Sequence, residues 1–402
     1  MTAGAVAGLA TTARAKSSGV IGANERIRMG VIGCGGLALG HHIPKLVRLS
    51  QDGQTNVELA ALCEIYDLRK KIALEKAPDA EMIHDYREML DRKDIHGVVI
   101  VTPDHWHAKM AIDAMEAGKD VHVEKPMTLY WEEARDVYET ATRLKRVVQV
   151  GAEGTSKDLF WKAREVIAQQ RLGKVVWATG GVYRNAPGGD WNYPINPECT
   201  PKTLDWDRWL GPAPKRPFEP ERFFRYRKYW DYSGGLAHDL ISHILSALQI
   251  AIGPEFPSRV SAAGGIYCHP DRETPDTFHM MVEYPSNYVA TLFSTQTTDE
   301  GIEMAIRGEK ATLHFGRGKH GERIGRVEPE SPYADEIEPF EIPSEPRPDH
   351  DVNFIECMRT REAPHCDALT GYKIMVALGL AVRSWREGRM FTFDPEKQQI
   401  VE

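Results

Sequence analysis

The sequence predicts an α/β protein, with a doubly wound parallel sheet in the first 150 residues and a strand-rich α/β unit behind it. Three observations predict this. Short apolar runs at 29–32, 57–63, 97–101, 120–123 and 147–150 alternate with helical stretches, as in a parallel sheet with helices on both faces. The first run ends in a glycine turn, Gly33-Cys34-Gly35-Gly36-Leu37-Ala38, that opens a helix. After residue 151 the runs alternate in polarity, near 258–266, 277–284, 288–295, 302–307 and 311–315, and read as successive strands.

A chain of 402 residues exceeds one compact domain. The boundaries expected are a leader over 1–27, a nucleotide-binding domain over 28–150, and a substrate-binding and oligomerisation domain over 151–402. With 27% charged and 9% aromatic residues the chain reads as globular, not disordered. No apolar stretch reaches the roughly 18 residues of a membrane span. Fifty Lys+Arg against 58 Asp+Glu give a net charge of −8, which disfavours nucleic acid as a partner. The six cysteines never approach CxxC spacing, so no zinc ribbon, redox pair or disulfide framework is indicated, and no metal is expected. Cys34 and Cys63, at strand ends, read as small buried apolar groups.

Residues 1–22 are small and apolar, rich in Ala, with no charged region at their start and no twin arginine. They resemble an export signal lacking its charged start, or a leader with no targeting role. Cytoplasm and periplasm both stay open.

The run Met29–Ile32 and the glycine turn match G-x-G-x-x-A in the strand–turn–helix context that a dinucleotide site needs. Gly33 permits the tight turn, Gly35 lets the backbone approach a pyrophosphate, and the helix N-terminus faces the phosphate charge. The second strand, 57–63, ends at Glu64, which can accept both adenosine ribose hydroxyls and repels a 2′-phosphate. NAD is therefore favoured over NADP, although Arg69 and Lys70 nearby are able to shelter a phosphate. The third run leads into Thr102-Pro103-Asp104-His105-Trp106-His107, and the fourth into Glu124-Lys125-Pro126. Ligands of such sheets bind beyond the carboxyl ends of the strands. The expected cofactor set is thus Gly33, Gly35, Gly36, Leu37, Glu64, Thr102, Pro103, His107, Glu124 and Lys125. His105 and His107 form H-x-H without a third ligand and read as lining this turn.

Gly-x-Gly-Gly, Thr-Pro-Asp-x-x-His and Glu-Lys-Pro at these spacings resemble the Gfo/Idh/MocA family over about residues 28–390. The resemblance implies a Rossmann domain, then an α/β domain with an open, mostly antiparallel sheet. It implies pyridine-nucleotide redox chemistry on sugars, polyols or related alcohols. It also places a catalytic lysine in Glu-Lys-Pro and an Asp/His pair on a later helix.

That helix follows Gly234-Gly235. Asp239 and His243 are four residues apart, so an α-helix puts them on one face, where the carboxylate would orient the imidazole. Oxidation of a secondary alcohol needs a base for the hydroxyl proton as hydride leaves carbon. A nearby ammonium favours the developing alkoxide. The resemblance maps Lys125, Asp239 and His243 onto these roles; His238 points elsewhere on the helix.

Between the two regions, residues 183–232 read as irregular and hold Trp191, Trp206, Trp209 and Trp230, rings suited to sugar faces or to fastening a loop. A helix is expected after Gly151, to about Gln170, and a strand over 174–179. Segment 324–349, rich in Pro and Glu, reads as loop, followed by helices near 351–360 and 369–387. The uncovered sheet face suggests a homo-oligomer, a dimer or tetramer. Three functions follow: a dehydrogenase for a sugar, glycoside or cyclic polyol; a redox-neutral glycosidase using an extra base among Tyr183, Tyr229 and Tyr232; or a non-catalytic, cofactor-bound sensor.

Overall fold

Five strand–helix units and a sixth strand precede residue 152, and the computed structural model assembles their strands into one parallel sheet. Residues 25–53, 55–317 and 323–401 are described; the leader up to residue 24 lies outside them. The strands are β1 (Ile27–Ile32), β2 (Val57–Cys63), β3 (Glu81–Ile83), β4 (Gly97–Ile100), β5 (Asp120–Glu124) and β6 (Val148–Gly151), in the order β3-β2-β1-β4-β5-β6. Every pair is parallel. β4, β5 and β6 are buried at every position, as expected for strands with helices over both faces. The order reverses beside β1, so the crevice for a ligand opens where β1 and β4 diverge. Gly33 makes that divergence possible. Its φ is +90°, and a Cβ there would stand 2.7 Å from the Val101 carbonyl oxygen. The helix after it begins as a π-helical turn, Ala38–His42, before continuing as Ile43–Asp52.

The second sheet has eleven strands: β7 (Val175–Asn185), β8 (Arg259–Gly265), β9 (Thr277–Tyr284), β10 (Tyr288–Thr295), β11 (Thr297–Thr298), β12 (Ala305–Gly308), β13 (Ala311–Arg317), β14 (Arg323–Pro329), β15 (Phe340–Pro343), β16 (Phe391–Asp394) and β17 (Gln399–Val401). Among the described residues, only β7 and β10 of this sheet pair in parallel. The open, mostly antiparallel sheet is therefore present, and five of its strands lie close to the expected positions.

Three expectations need correction. The 324–349 segment is not loop throughout, because β14 and β15 form one flank of the sheet. Pro343 closes an edge strand, where a missing N–H costs no ladder bond, so proline content misled the reading. The stretch from 183 is not irregular from its start, since β7 runs on to Asn185, and it later forms short helices Trp206–Leu210 and Pro220–Phe224. The helix expected after Gly151 starts later: a 3-10 turn, Glu153–Ser156, follows β6, and the helix runs Asp158–Ala168. The late helices fall at His350–Thr360 and Ala368–Glu387, close to expectation.

The helix Ala368–Glu387 joins the two sheets. It packs on the helix Trp131–Leu144 of the first unit and on β8 of the second, within one continuous apolar core. A separate aromatic cluster, including Tyr66, Leu204, Trp206, Trp209, Phe223 and Tyr232, binds the 199–232 segment to the end of β2. No helix among the described residues is long and apolar enough to cross a membrane.

Because both its backbone conformation and its neighbours exclude a side chain, Gly33→Ala is expected to lower unfolding free energy by roughly 1–3 kcal/mol. Urea denaturation checks this, and an unchanged midpoint would contradict the geometry.

Candidate active site

The cleft is built where β1, β2, β4 and β5 end and the second unit faces them. Its volume is about 1110 Å³, near the upper end of ligand-site sizes. At its floor, Cβ atoms added to Gly35 or Gly36 would meet no backbone, the nearest atom being Arg69 Nη1 at 3.8 Å from Gly35. Leu37 stands 45% exposed beside them. This bare backbone, leading into a helix, is a cradle of the kind a pyrophosphate occupies.

Glu64 is 5% exposed, and its carboxylate accepts from the backbone N–H groups of Cys34 (2.8 Å), Ile65 (2.8 Å) and Tyr66 (2.9 Å). Its charge is thereby fixed at the end of β2, on the cleft wall. Of the two cations placed to shelter a 2′-phosphate, Lys70 pairs with Asp67 at 2.9 Å, and Arg69 lies over the Phe223 ring at 4.5 Å. The residues present fit NAD, and the neighbouring negative charge opposes NADP.

Thr102 and Pro103 line the cleft, as do Glu124 and Lys125. His107 is placed behind it, hydrogen-bonded through Nδ1 to the Pro126 carbonyl (2.7 Å) and through Nε2 to that of Thr102 (2.8 Å). It ties two cleft loops together and does not line the cleft. His105 likewise lies outside, hydrogen-bonded to the Trp209 carbonyl at 3.0 Å.

At the centre, Lys125 Nζ donates to both the Oδ1 and the backbone carbonyl of Asp239, each at 2.9 Å. Arg227 Nε donates to the same Oδ1, also at 2.9 Å. Burial pushes the Asp239 carboxyl upward, but the Arg227 and Lys125 cations outweigh it and hold the group well below the usual carboxylate range.

His243 lines the same cleft. Burial, and next the Lys125 charge, lower its pKa to about 4 against partial opposition from Asp239 and Glu124, so the ring is neutral near pH 7. The expected hydrogen bond from Asp239 to His243 does not form; the hydrogen-bond partners of that carboxylate are Lys125 and Arg227. The four-residue rule assumes an α-helix, whereas Asp239 sits on a π-helical turn, Ala237–Ile241, with a wider repeat. His238 is buried against Gly234, away from the cleft, with neither ring nitrogen hydrogen-bonded. Burial lowers its pKa to about 4.

Around this centre stand Glu153, Arg184, Trp191, Tyr193 and Tyr226. Trp209 also lines the cleft, with Trp206 stacked on it at 4.7 Å, whereas Trp230 packs against Trp385. Tyr183, Tyr229 and Tyr232 do not reach the cleft: the first donates to the Ile302 carbonyl, the second lies under Arg222, and the third is fully buried. Sequence reasoning missed Arg227, Tyr226 and Tyr193. The only signal for Arg227 and Tyr226 was the density of arginine and tyrosine over 225–229, and Tyr193 had none.

Comparison with known proteins agrees with this arrangement. Residues 27–152 match an oxidoreductase family described as an NAD-binding Rossmann fold, and residues 174–402 match its C-terminal alpha/beta domain. An alpha-N-acetylgalactosaminidase of Shewanella oneidensis is 37% identical over 131 residues, covering 30% of this chain and only 27% of the relative. A levoglucosan dehydrogenase solved with NADH and levoglucosan superimposes with a TM-score of 0.71 at 17% identity, covering 91% of this chain and 99% of that one. The WlbA dehydrogenase of Bordetella pertussis, solved with NADH and UDP-GlcNAcA, gives 0.68 at 21% identity over 92% and 99%. At these identities the solved structures establish shared fold alone.

One pH dependence follows from burial. His105, His238, His243, His350 and His365 are each lowered to about 4, chiefly by desolvation. On acidification the unfolded chain takes up protons on these rings first, so stability is expected to fall as pH drops from 6.5 towards 4. His42, raised to about 10, is protonated in both states over that window and does not offset the loss. Thermal melts across this range check it, and a flat profile would contradict the burial of these rings.

Proposed function

The chain belongs to the Gfo/Idh/MocA family of NAD-binding oxidoreductases, and from that premise we propose that it transfers hydride between nicotinamide and a secondary alcohol of a sugar, glycoside or cyclic polyol. The observation that carries this reading is the convergence of Lys125 and His243 on the cleft whose floor is the glycine turn. NAD, when bound, supplies the hydride acceptor. Neutral His243 takes the hydroxyl proton, which requires an imidazole that is unprotonated at working pH. The Lys125 ammonium donates to the hydroxyl oxygen and stabilises its alkoxide character. Asp239 and Arg227 act through Lys125, fixing its position. Trp191 and Tyr193 offer flat faces to the apolar side of a ring. The glycine cradle and the Glu64 carboxylate favour NAD over NADP.

A second reading, redox-neutral glycoside cleavage with the dinucleotide retained, is favoured by one feature. The 199–224 segment is clasped onto the Glu64 end of the cleft. Leu204 bridges Tyr66, Asp67 N–H donates to the Thr203 carbonyl at 2.9 Å, His84 pairs with Asp205 at 3.0 Å, and Arg208 pairs with Asp85. Such a clasp slows cofactor exchange and suits a reaction with no net redox change. The glycosidase relatives lend support over 131 residues, 30% of this chain. An extra base for this chemistry would come from Tyr193 or Tyr226, which line the cleft, rather than from Tyr183, Tyr229 or Tyr232.

For the first reading, His243→Ala is expected to lower turnover about 10²–10⁴-fold while NAD binding persists. Stopped-flow absorbance with a panel of sugars and cyclic polyols measures both, and an unimpaired rate removes His243 from its role. The two readings separate on products: NADH accumulating in step with oxidised sugar supports the dehydrogenase, whereas released aglycone without NADH supports the glycosidase.

A further inference from the structure

Beside the cleft, three elements bring together a group of side chains that, apart from the cleft-lining Glu124, the redox reading does not use. His41 and His42 come from the π-helical turn Ala38–His42, His122 and Glu124 from β5, and Asp351 from the first turn of the helix His350–Thr360. Residues 122 and 124 share one face of β5 because strand side chains alternate. His42, His122 and Glu124 are 2%, 1% and 6% exposed, and one ligand atom from each lies within 4.8 Å of the others. His42 Nε2 is 2.9 Å from Glu124 Oε1, and His122 Nε2 is 3.8 Å from the same oxygen.

An ion-pair network explains part of this cluster. His42 lies between two carboxylates, Glu124 and Asp351, the latter 3.5 Å from Nδ1. His41 pairs with the other oxygen of Asp351 at 3.2 Å and with Glu153 at 3.3 Å, on the solvent side. None of this accounts for His122. Neither of its ring nitrogens has a hydrogen-bond partner, and its other ring neighbours are His350 and Phe354. A buried imidazole with both nitrogens idle is costly. At 3.8 Å its Nε2 is too far from Glu124 to hydrogen-bond, yet it faces that oxygen. Donors about 2.0–2.2 Å from one tetrahedral ion stand roughly 3.4 Å apart, between the 2.9 and 3.8 Å that separate Glu124 Oε1 from the two imidazoles.

We infer that His42, His122 and Glu124 form a binding site for a divalent first-row transition metal of the Zn²⁺ type. Two imidazoles and a carboxylate are a borderline donor set that selects such an ion over Mg²⁺ or Ca²⁺. Asp351 then serves as the outer carboxylate that orients the ligating His42 through Nδ1, a recurrent partner of metal-bound histidine. Half-exposed His41 and exposed Glu153 mark the solvent side from which an ion enters. The Lys125 backbone N–H donates to Glu124 Oε2 at 3.1 Å, so a bound ion would also fix the turn that carries Lys125. The site is independent of which reaction the cleft performs.

The test uses the full-length protein stripped with EDTA and titrated with Co²⁺ and, separately, Zn²⁺. The expected result is about one equivalent bound per chain, visible d–d absorption from four-coordinate Co²⁺, and a Zn²⁺-dependent rise in melting temperature. His122→Phe keeps the ring shape and removes the donor. It is expected to weaken binding at least tenfold and abolish the Zn²⁺ shift, while its metal-free melting temperature matches or exceeds that of the wild type. Wild-type protein showing no Co²⁺ band and no Zn²⁺ uptake overturns the inference, as does His122→Phe binding as tightly as wild type. Should that variant fail to fold, the wild-type Co²⁺ spectrum decides alone. These readouts need no substrate, so their failure leaves the hydride-transfer reading untouched.

Discussion

One carboxylate oxygen holds the site together. Asp239 Oδ1 receives Lys125 from the end of β5 and Arg227 from the segment before the π-helical turn, each at 2.9 Å. The lysine belongs to the first sheet and the other two to the second unit, so this contact is also a fastening across the cleft. Two cations and one anion leave one net positive charge beside the position where a hydroxyl would lose its proton. In a partly desolvated site that charge favours the alkoxide more strongly than water can. Removing Asp239 alone would leave two cations facing each other, a far costlier state than removing all three.

The same charge explains why His243 suits a base rather than an acid. An imidazole hydrogen-bonded to a carboxylate would be drawn towards protonation, and here the carboxylate is already committed to two cations. Burial and the Lys125 charge both disfavour the imidazolium. In the proposed reaction, basicity is lower but the imidazole nitrogen keeps its lone pair free to accept the proton, and the lysine lowers the cost of releasing that proton from the alcohol. Base and electrophile would thus be coupled through Lys125, with Asp239 and Arg227 setting its place.

How much of this could be read from the chain depends on whether the information was local. The glycine turn, the apolar runs of β1, β2, β4, β5 and β6, and the end-of-strand positions of Glu64 and Lys125 are local patterns, and they placed the cleft. Arg227 was not legible because it is drawn to Asp239 by a fold in an irregular segment, with no spacing rule behind it. The Asp239–His243 bond was misread because a π-helical turn looks like an α-helix in sequence. His107 was assigned by its loop, but a side chain beginning at the cleft can turn inwards, and two carbonyls there claimed it. The cluster of His42, His122, Glu124 and Asp351 spans some 310 positions, so no ligand-spacing motif could show it.

The aromatic segment illustrates a further limit of composition as a guide. Its tryptophans suggested a sugar surface, yet Trp206 stacks behind Trp209, whose carbonyl accepts from Trp106 Nε1 at 2.9 Å. Gly211, whose Cβ would collide with the Trp106 ring, lets the strap lie flat there. These rings therefore spend most of their surface binding the second unit to the Rossmann sheet at the Glu64 end. Under the proposed reaction, discrimination among substrates falls instead to other residues lining the cleft: Glu153, Arg184, Trp191, Tyr193 and Tyr226. That set combines a carboxylate, a guanidinium and three flat faces, which suits a polyhydroxylated ring better than a linear alcohol, whose apolar surface would leave the rings half-covered.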